Sequence, residues 1–149
     1  MAELLFLCTG NYYRSRFAEI LFNSLATDFC PEWQADSCGL ALERGLHNVG
    51  PISTAAVERL AELGITCDTI HRMPRSLQVA DLERVQHVVA VKEAEHRELL
   101  TERFPGWADR VEYWHIHDID FESADTALTS LEQHVRQLVQ RLAAAGSPS

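Results

Sequence analysis

Four short candidate strands, each followed by a stretch with helical periodicity, restrict this 149-residue chain to a parallel α/β layout. These are Leu4-Leu5-Phe6-Leu7, Trp33 to Cys38, His87 to Val91 and Val111 to Ile116. Runs of this length bounded by turn residues suit strands buried on both faces. A helix after each strand implies right-handed crossovers, so the expected fold class is α/β: a four-stranded parallel sheet with helices on both faces.

The segment from Ser15 to Leu25 places Phe17, Ala18, Leu21, Phe22 and Leu25 on one helical face. Pro51 to Leu63 reads as a second helix stopped by Gly64, and Glu93 to Phe104 as a third, ended by Pro105-Gly106. Thr66 to Gln86 is mixed, with His71, Arg72 and Arg75 expected in a surface loop. A final helix opens with Thr129 and Glu132 in capping-box spacing and closes at Gly146. No repeat or low-complexity segment interrupts the chain, which is expected as a single domain over residues 1–146 with a tail at 147–149.

The charge is −9, which argues against nucleic acid as a partner because little here would neutralise a run of phosphates. Only about four apolar residues run together near the N-terminus, and no stretch approaches the roughly 20 needed to span a bilayer, so no membrane association is expected. Cys8, Cys30, Cys38 and Cys67 contain no CxxC pair. A reduced, cytoplasmic protein without a metal site or cofactor is the expectation.

The chemistry concentrates where the first run ends, at Cys8-Thr9-Gly10-Asn11-Tyr12-Tyr13-Arg14-Ser15. Strand, loop and helix in that order aim backbone N–H groups and the positive end of a helix dipole into the loop's hollow. Consecutive amides form a nest for a tetrahedral oxyanion, and the planar fork of Arg14 can take two of its oxygens. A thiol so placed ionises more readily than a free one, making Cys8 the candidate nucleophile. Ser15 can hydrogen-bond that sulfur, and Gly10 is expected to allow a backbone conformation a side chain would obstruct.

These residues carry a resemblance. The segment from Leu4 to Phe22, with Cys8-Thr9-Gly10-Asn11, Arg14-Ser15 and Ala18-Glu19, resembles the opening of the low-molecular-weight protein tyrosine phosphatases. That family includes thioredoxin-coupled arsenate reductases and bacterial protein-arginine phosphatases. Ser37-Cys38-Gly39 is similar to its Ser-Ala-Gly segment, which implies that Ser37 braces the phosphate loop through Asn11. His47-Asn48-Val49-Gly50 resembles the stretch carrying a substrate-facing aromatic. The resemblance implies a flavodoxin-like phosphotyrosine phosphatase I fold and metal-independent phosphomonoester hydrolysis through a cysteinyl-phosphate. Substrates would be a phosphorylated protein or peptide, or a small aryl phosphate.

In the family an aspartate after the fourth strand serves as general acid. Here Asp118, two residues beyond Ile116, fits that spacing, with Asp120 in reserve and Ile119 where proline is usual. Tyr13 stands in place of a neighbouring cysteine, so no reversible disulfide is expected beside Cys8. Tyr12 and His47 stand at positions that bear on substrate identity. The arsenate reductases need two further cysteines, which Met73 to Glu102 does not supply. Two other readings remain at this stage: a non-catalytic phosphopeptide-binding module on the same fold, and a protein-arginine phosphatase.

Overall fold

The computed structural model describes residues 2–66, 68–116 and 123–145. Its elements are β1 (Ala2–Cys8), α1 (Arg14–Phe29), β2 (Trp33–Gly39), α2 (Thr54–Glu62), α3 (Val79–Arg84), β3 (His87–Ala90), α4 (Glu93–Arg103), β4 (Glu112–Tyr113) and α5 (Ala124–Ala145). Short 3-10 turns lie at Leu42–Gly45 and Ala108–Arg110. The sheet runs β2-β1-β3-β4 with every pair of strands parallel. The expected four-stranded parallel α/β fold is therefore the observed one.

β1 is central because its side chains are apolar on both faces. Leu4 and Phe6 pack with α1, α2 and α5, while Leu5 and Leu7 pack with α3 and α4. All four are fully buried. Burying each contributes about 1.5–3 kcal/mol, which no polar residue at these positions would supply.

The chain leaves β1 for β2 on one side and later returns to β3 on the other. The strand order therefore reverses at the carboxyl end of β1, where open α/β sheets leave a crevice for ligands. The loop from Cys8 to Arg14 sits at that point.

Several local expectations are corrected. α5 begins at Ala124, so Thr129 and Glu132 lie inside the helix; Ser123 caps it, its Oγ accepting from the Thr126 amide at 3.2 Å. Thr129 instead accepts from Arg59 Nη2 at 2.8 Å, tying α5 to α2. The segment expected as mixed contains α3, opened by a reciprocal capping box between Gln78 and Asp81. β4 has only two residues and continues as a single bridge between His115 and Lys92. Asp118, Asp120, Cys67 and the tail lie outside the described residues.

Candidate active site

The loop after β1 is held in shape by one asparagine. Asn11 has φ +50°, a left-handed conformation that costs a side-chain-bearing residue roughly 1–2 kcal/mol. Its fully buried side chain more than offsets that cost. Nδ2 donates to Ser15 Oγ (3.0 Å) and Ser37 Oγ (2.9 Å), while Oδ1 accepts from the Arg75 amide (2.9 Å) and Arg72 Nη1 (3.1 Å). Four bonds at about 0.5–1.5 kcal/mol net each outweigh the strain. Gly10, by contrast, has no positive φ, and an added Cβ would meet only Asn48 Nδ2 at 3.4 Å. The turn expected of Gly10 is made by Asn11.

The hydrogen bonds run outward from Asn11 along two branches. Ser37 Oγ accepts from Asn11 and from Arg72 Nη2 (2.9 Å) and donates to Glu19 Oε1 at 2.5 Å. Ser15 Oγ accepts from Asn11 and lies 2.9 Å from Cys8 Sγ. With its oxygen taking the Asn11 donor, the Ser15 hydroxyl proton is free to point at the sulfur. Cys8 itself is 2 % exposed.

Gly39 is required for close approach. It pairs with Cys8 at the end of the β1–β2 ladder, and a Cβ there would meet Thr9 O at 2.8 Å and Asn11 N at 3.1 Å. Pairing then runs past the strand, with Leu40 N donating to Cys8 O and Ala41 N to Thr9 O, both at 2.9 Å.

α1 starts at Arg14 with no side-chain cap and no acidic residue in its first turn. The first turn of an α-helix leaves its opening amides without intrahelical acceptors, and here that turn directly follows the loop. Arg14 is almost fully buried; its Nη1 donates to Ile116 O at 3.0 Å, and its Nη2 reaches Glu95 Oε1 at 3.4 Å. This brings the segment after β4 to the loop that follows β1. Tyr12 OH donates to Val49 O at 2.6 Å and fixes the phenol against the segment that carries exposed His47. Buried Tyr13 donates to Ala124 O at 3.3 Å, at the start of α5.

Sequence reasoning missed Arg72, Arg75, Glu19, Glu95 and His96. Arg72, expected in a surface loop, reaches Asn11, Ser37 and Glu19 (3.1 Å to Glu19). No spacing rule signals an arginine 61 residues from its partner. Glu95 lies in the first turn of α4, which directly follows β3 and so starts at the carboxyl ends of the strands.

The remaining described thiols are structural. Cys38 faces the opposite side of the sheet from Cys8, among Leu5, Leu7 and Leu82. Burial pushes its thiol up to about 12, Arg75 opposing and Asp81 reinforcing the shift. Cys8, Cys30 and Cys38 are free thiols. Peroxide treatment should therefore give no Cys8–Cys38 disulfide; peptide mapping by mass spectrometry that found one would contradict this placement.

A parallel sheet whose switch point carries a Cys-x5-Arg-Ser loop, stiffened by an Asn–Ser–Ser network, defines a phosphate-loop α/β protein. The profile described as low molecular weight phosphotyrosine protein phosphatase matches residues 3–147. The chain belongs to that family of cysteine-dependent phosphatases, enzymes that act on phosphorylated substrates. Among solved structures, it is similar to a low molecular weight protein tyrosine phosphatase from T. tengcongensis (28 % identity, TM-score 0.78, covering 95 % of this chain and 100 % of that one). It also resembles YfkJ from Bacillus subtilis (22 %, 0.83, covering 99 % and 98 %). A third match is a YwlE arginine phosphatase variant with a phosphorylated active-site serine (25 %, 0.76, covering 94 % and 95 %). The comparison with curated protein sequences gives no match. No described helix is long and apolar enough to cross a membrane.

Proposed function

We propose that this phosphatase hydrolyses phosphotyrosine in proteins or peptides, with Cys8 as nucleophile, Arg14 as the transition-state cation and Asp118 as general acid and base. The observation that carries the reading is the Cys8–Ser15–Asn11–Ser37 network, which delivers a hydroxyl to the sulfur while holding the loop backbone in a left-handed turn.

In the first step a Cys8 S–P bond forms as the P–O bond to the leaving group breaks. Asp118 transfers its proton to the departing oxygen. Loop amides from Thr9 to Ser15 and the Arg14 fork stabilise the equatorial oxygens. In the second step the Asp118 carboxylate takes a proton from water, the new O–P bond forms and the S–P bond breaks, releasing inorganic phosphate and restoring the thiolate. Ser15 stabilises that sulfur as leaving group. The choice of Asp118 is supported by its position two residues beyond Ile116, whose carbonyl holds Arg14. Tyr12 supplies an aromatic wall for an aryl phosphate, and exposed His47, on the segment bonded to the Tyr12 hydroxyl, bears on substrate identity. A reduced cytoplasmic setting agrees with three free described thiols.

The test is hydrolysis of p-nitrophenyl phosphate in EDTA, then of matched phosphotyrosine and phosphoarginine peptides. Activity should persist in EDTA and favour phosphotyrosine; preference for phosphoarginine would transfer the chain to the other substrate class. Asp118→Asn should cost about 10²–10⁴-fold, more for poor leaving groups. A larger loss in Asp120→Asn would move the acid role to that residue.

A further inference from the structure

A carboxylate lies inside the machinery that is meant to attract an anion. Glu95, in the first turn of α4, accepts hydrogen bonds from Thr9 Oγ1 and from Arg14 Nη2 (3.4 Å). Behind it, fully buried His96 accepts the Lys92 amide at Nδ1 (3.1 Å), which leaves its ring proton on Nε2, 3.1 Å from Thr9 Oγ1. His96 Nε2, Thr9 Oγ1 and Glu95 Oε1 therefore form a chain of donors ending on the carboxylate. Burial opposes its ionisation, yet His96, Arg14 and Thr9 together hold it well below the usual carboxylate range. Burial also keeps His96 low, so the imidazole is neutral and adds no compensating charge.

We propose that Glu95 is a positioning residue that holds the Arg14 fork and, as a fixed negative charge beside it, limits how tightly the loop retains phosphate. The inference rests on the loop being the oxyanion cradle. The carboxylate offsets part of the charge of the transition-state arginine in the resting protein, and an arriving phosphoryl group has to share Nη2 with Glu95. A cradle with an uncompensated guanidinium would bind its product more firmly. Glu95 trades ground-state affinity for release while helping Ile116 O keep the fork oriented.

The experiment is titration calorimetry with inorganic phosphate on the parent, Glu95→Gln and Glu95→Asp, alongside kcat for an aryl phosphate. Glu95→Gln keeps the shape and removes the charge. Its phosphate affinity should rise about tenfold, the order expected of one nearby unit charge after solvent and salt screening, while kcat falls. Glu95→Asp keeps the charge and should gain far less. A brace that was only structural would loosen the cradle and weaken binding in both variants. Unchanged or weaker phosphate binding in Glu95→Gln, or an equal gain in Glu95→Asp, overturns the inference. A parent that binds no phosphate removes the cradle reading itself, and the inference with it.

Discussion

Cys8→Ser is expected to lose turnover by on the order of 10⁴-fold or more while still binding phosphate. The substitution changes one atom beside Ser15 Oγ and leaves intact the bonds that shape the loop: those of Asn11 to Ser15, Ser37, Arg72 and Arg75. The cradle should therefore persist without its nucleophile. A hydroxyl is a poor nucleophile at neutral pH without an adjacent base, whereas a thiolate needs none. Measured side by side, kcat for p-nitrophenyl phosphate should collapse, and the dissociation constant for inorganic phosphate should stay within a few-fold of the parent's. Retained turnover would end the cysteinyl-phosphate mechanism; simultaneous loss of phosphate binding would mean that the sulfur shapes the loop as well.

Arg14→Lys should lower kcat by about 10²–10³-fold. The guanidinium reaches Ile116 O through Nη1 and Glu95 through Nη2, and its planar geometry also presents paired donors to equatorial oxygens. An ammonium is a single point charge and cannot hold the fourth-strand end, Glu95 and two phosphoryl oxygens together. Arg14 is 2 % exposed, so the lysine would also have to place its charge in a largely desolvated site. Circular dichroism and thermal unfolding separate a folding defect from a catalytic one. A folded variant keeping more than a tenth of parental kcat would remove Arg14 from the transition state.

Much of the architecture was legible because each local signal agreed with the global fold. The run Leu4 to Leu7 is apolar on both faces and had to be central, and Gly64 and Pro105-Gly106 mark the ends of their helices. α3 was illegible because six residues with one buried leucine carry too little periodicity to register. The α5 cap expected at Thr129 lies six residues past the true cap at Ser123 for a related reason. Thr129 and Glu132 have the right spacing, but both serve a tertiary contact to Arg59.

The functional loop divides the same way. That Cys8, Asn11 and Ser15 meet in one loop could be read from contiguous residues, because a strand–loop–helix turn brings its own groups together. What surrounds that loop could not. Arg72 on Asn11, Glu19 beneath Ser37, and Glu95 and His96 against Thr9 and Arg14 are contacts between residues 18 to 87 positions apart. Sequence carries the chemistry of a site when its groups share one turn of backbone. The charges that tune those groups arrive from other strands and helices, and only the packing of the sheet decides which of them meet.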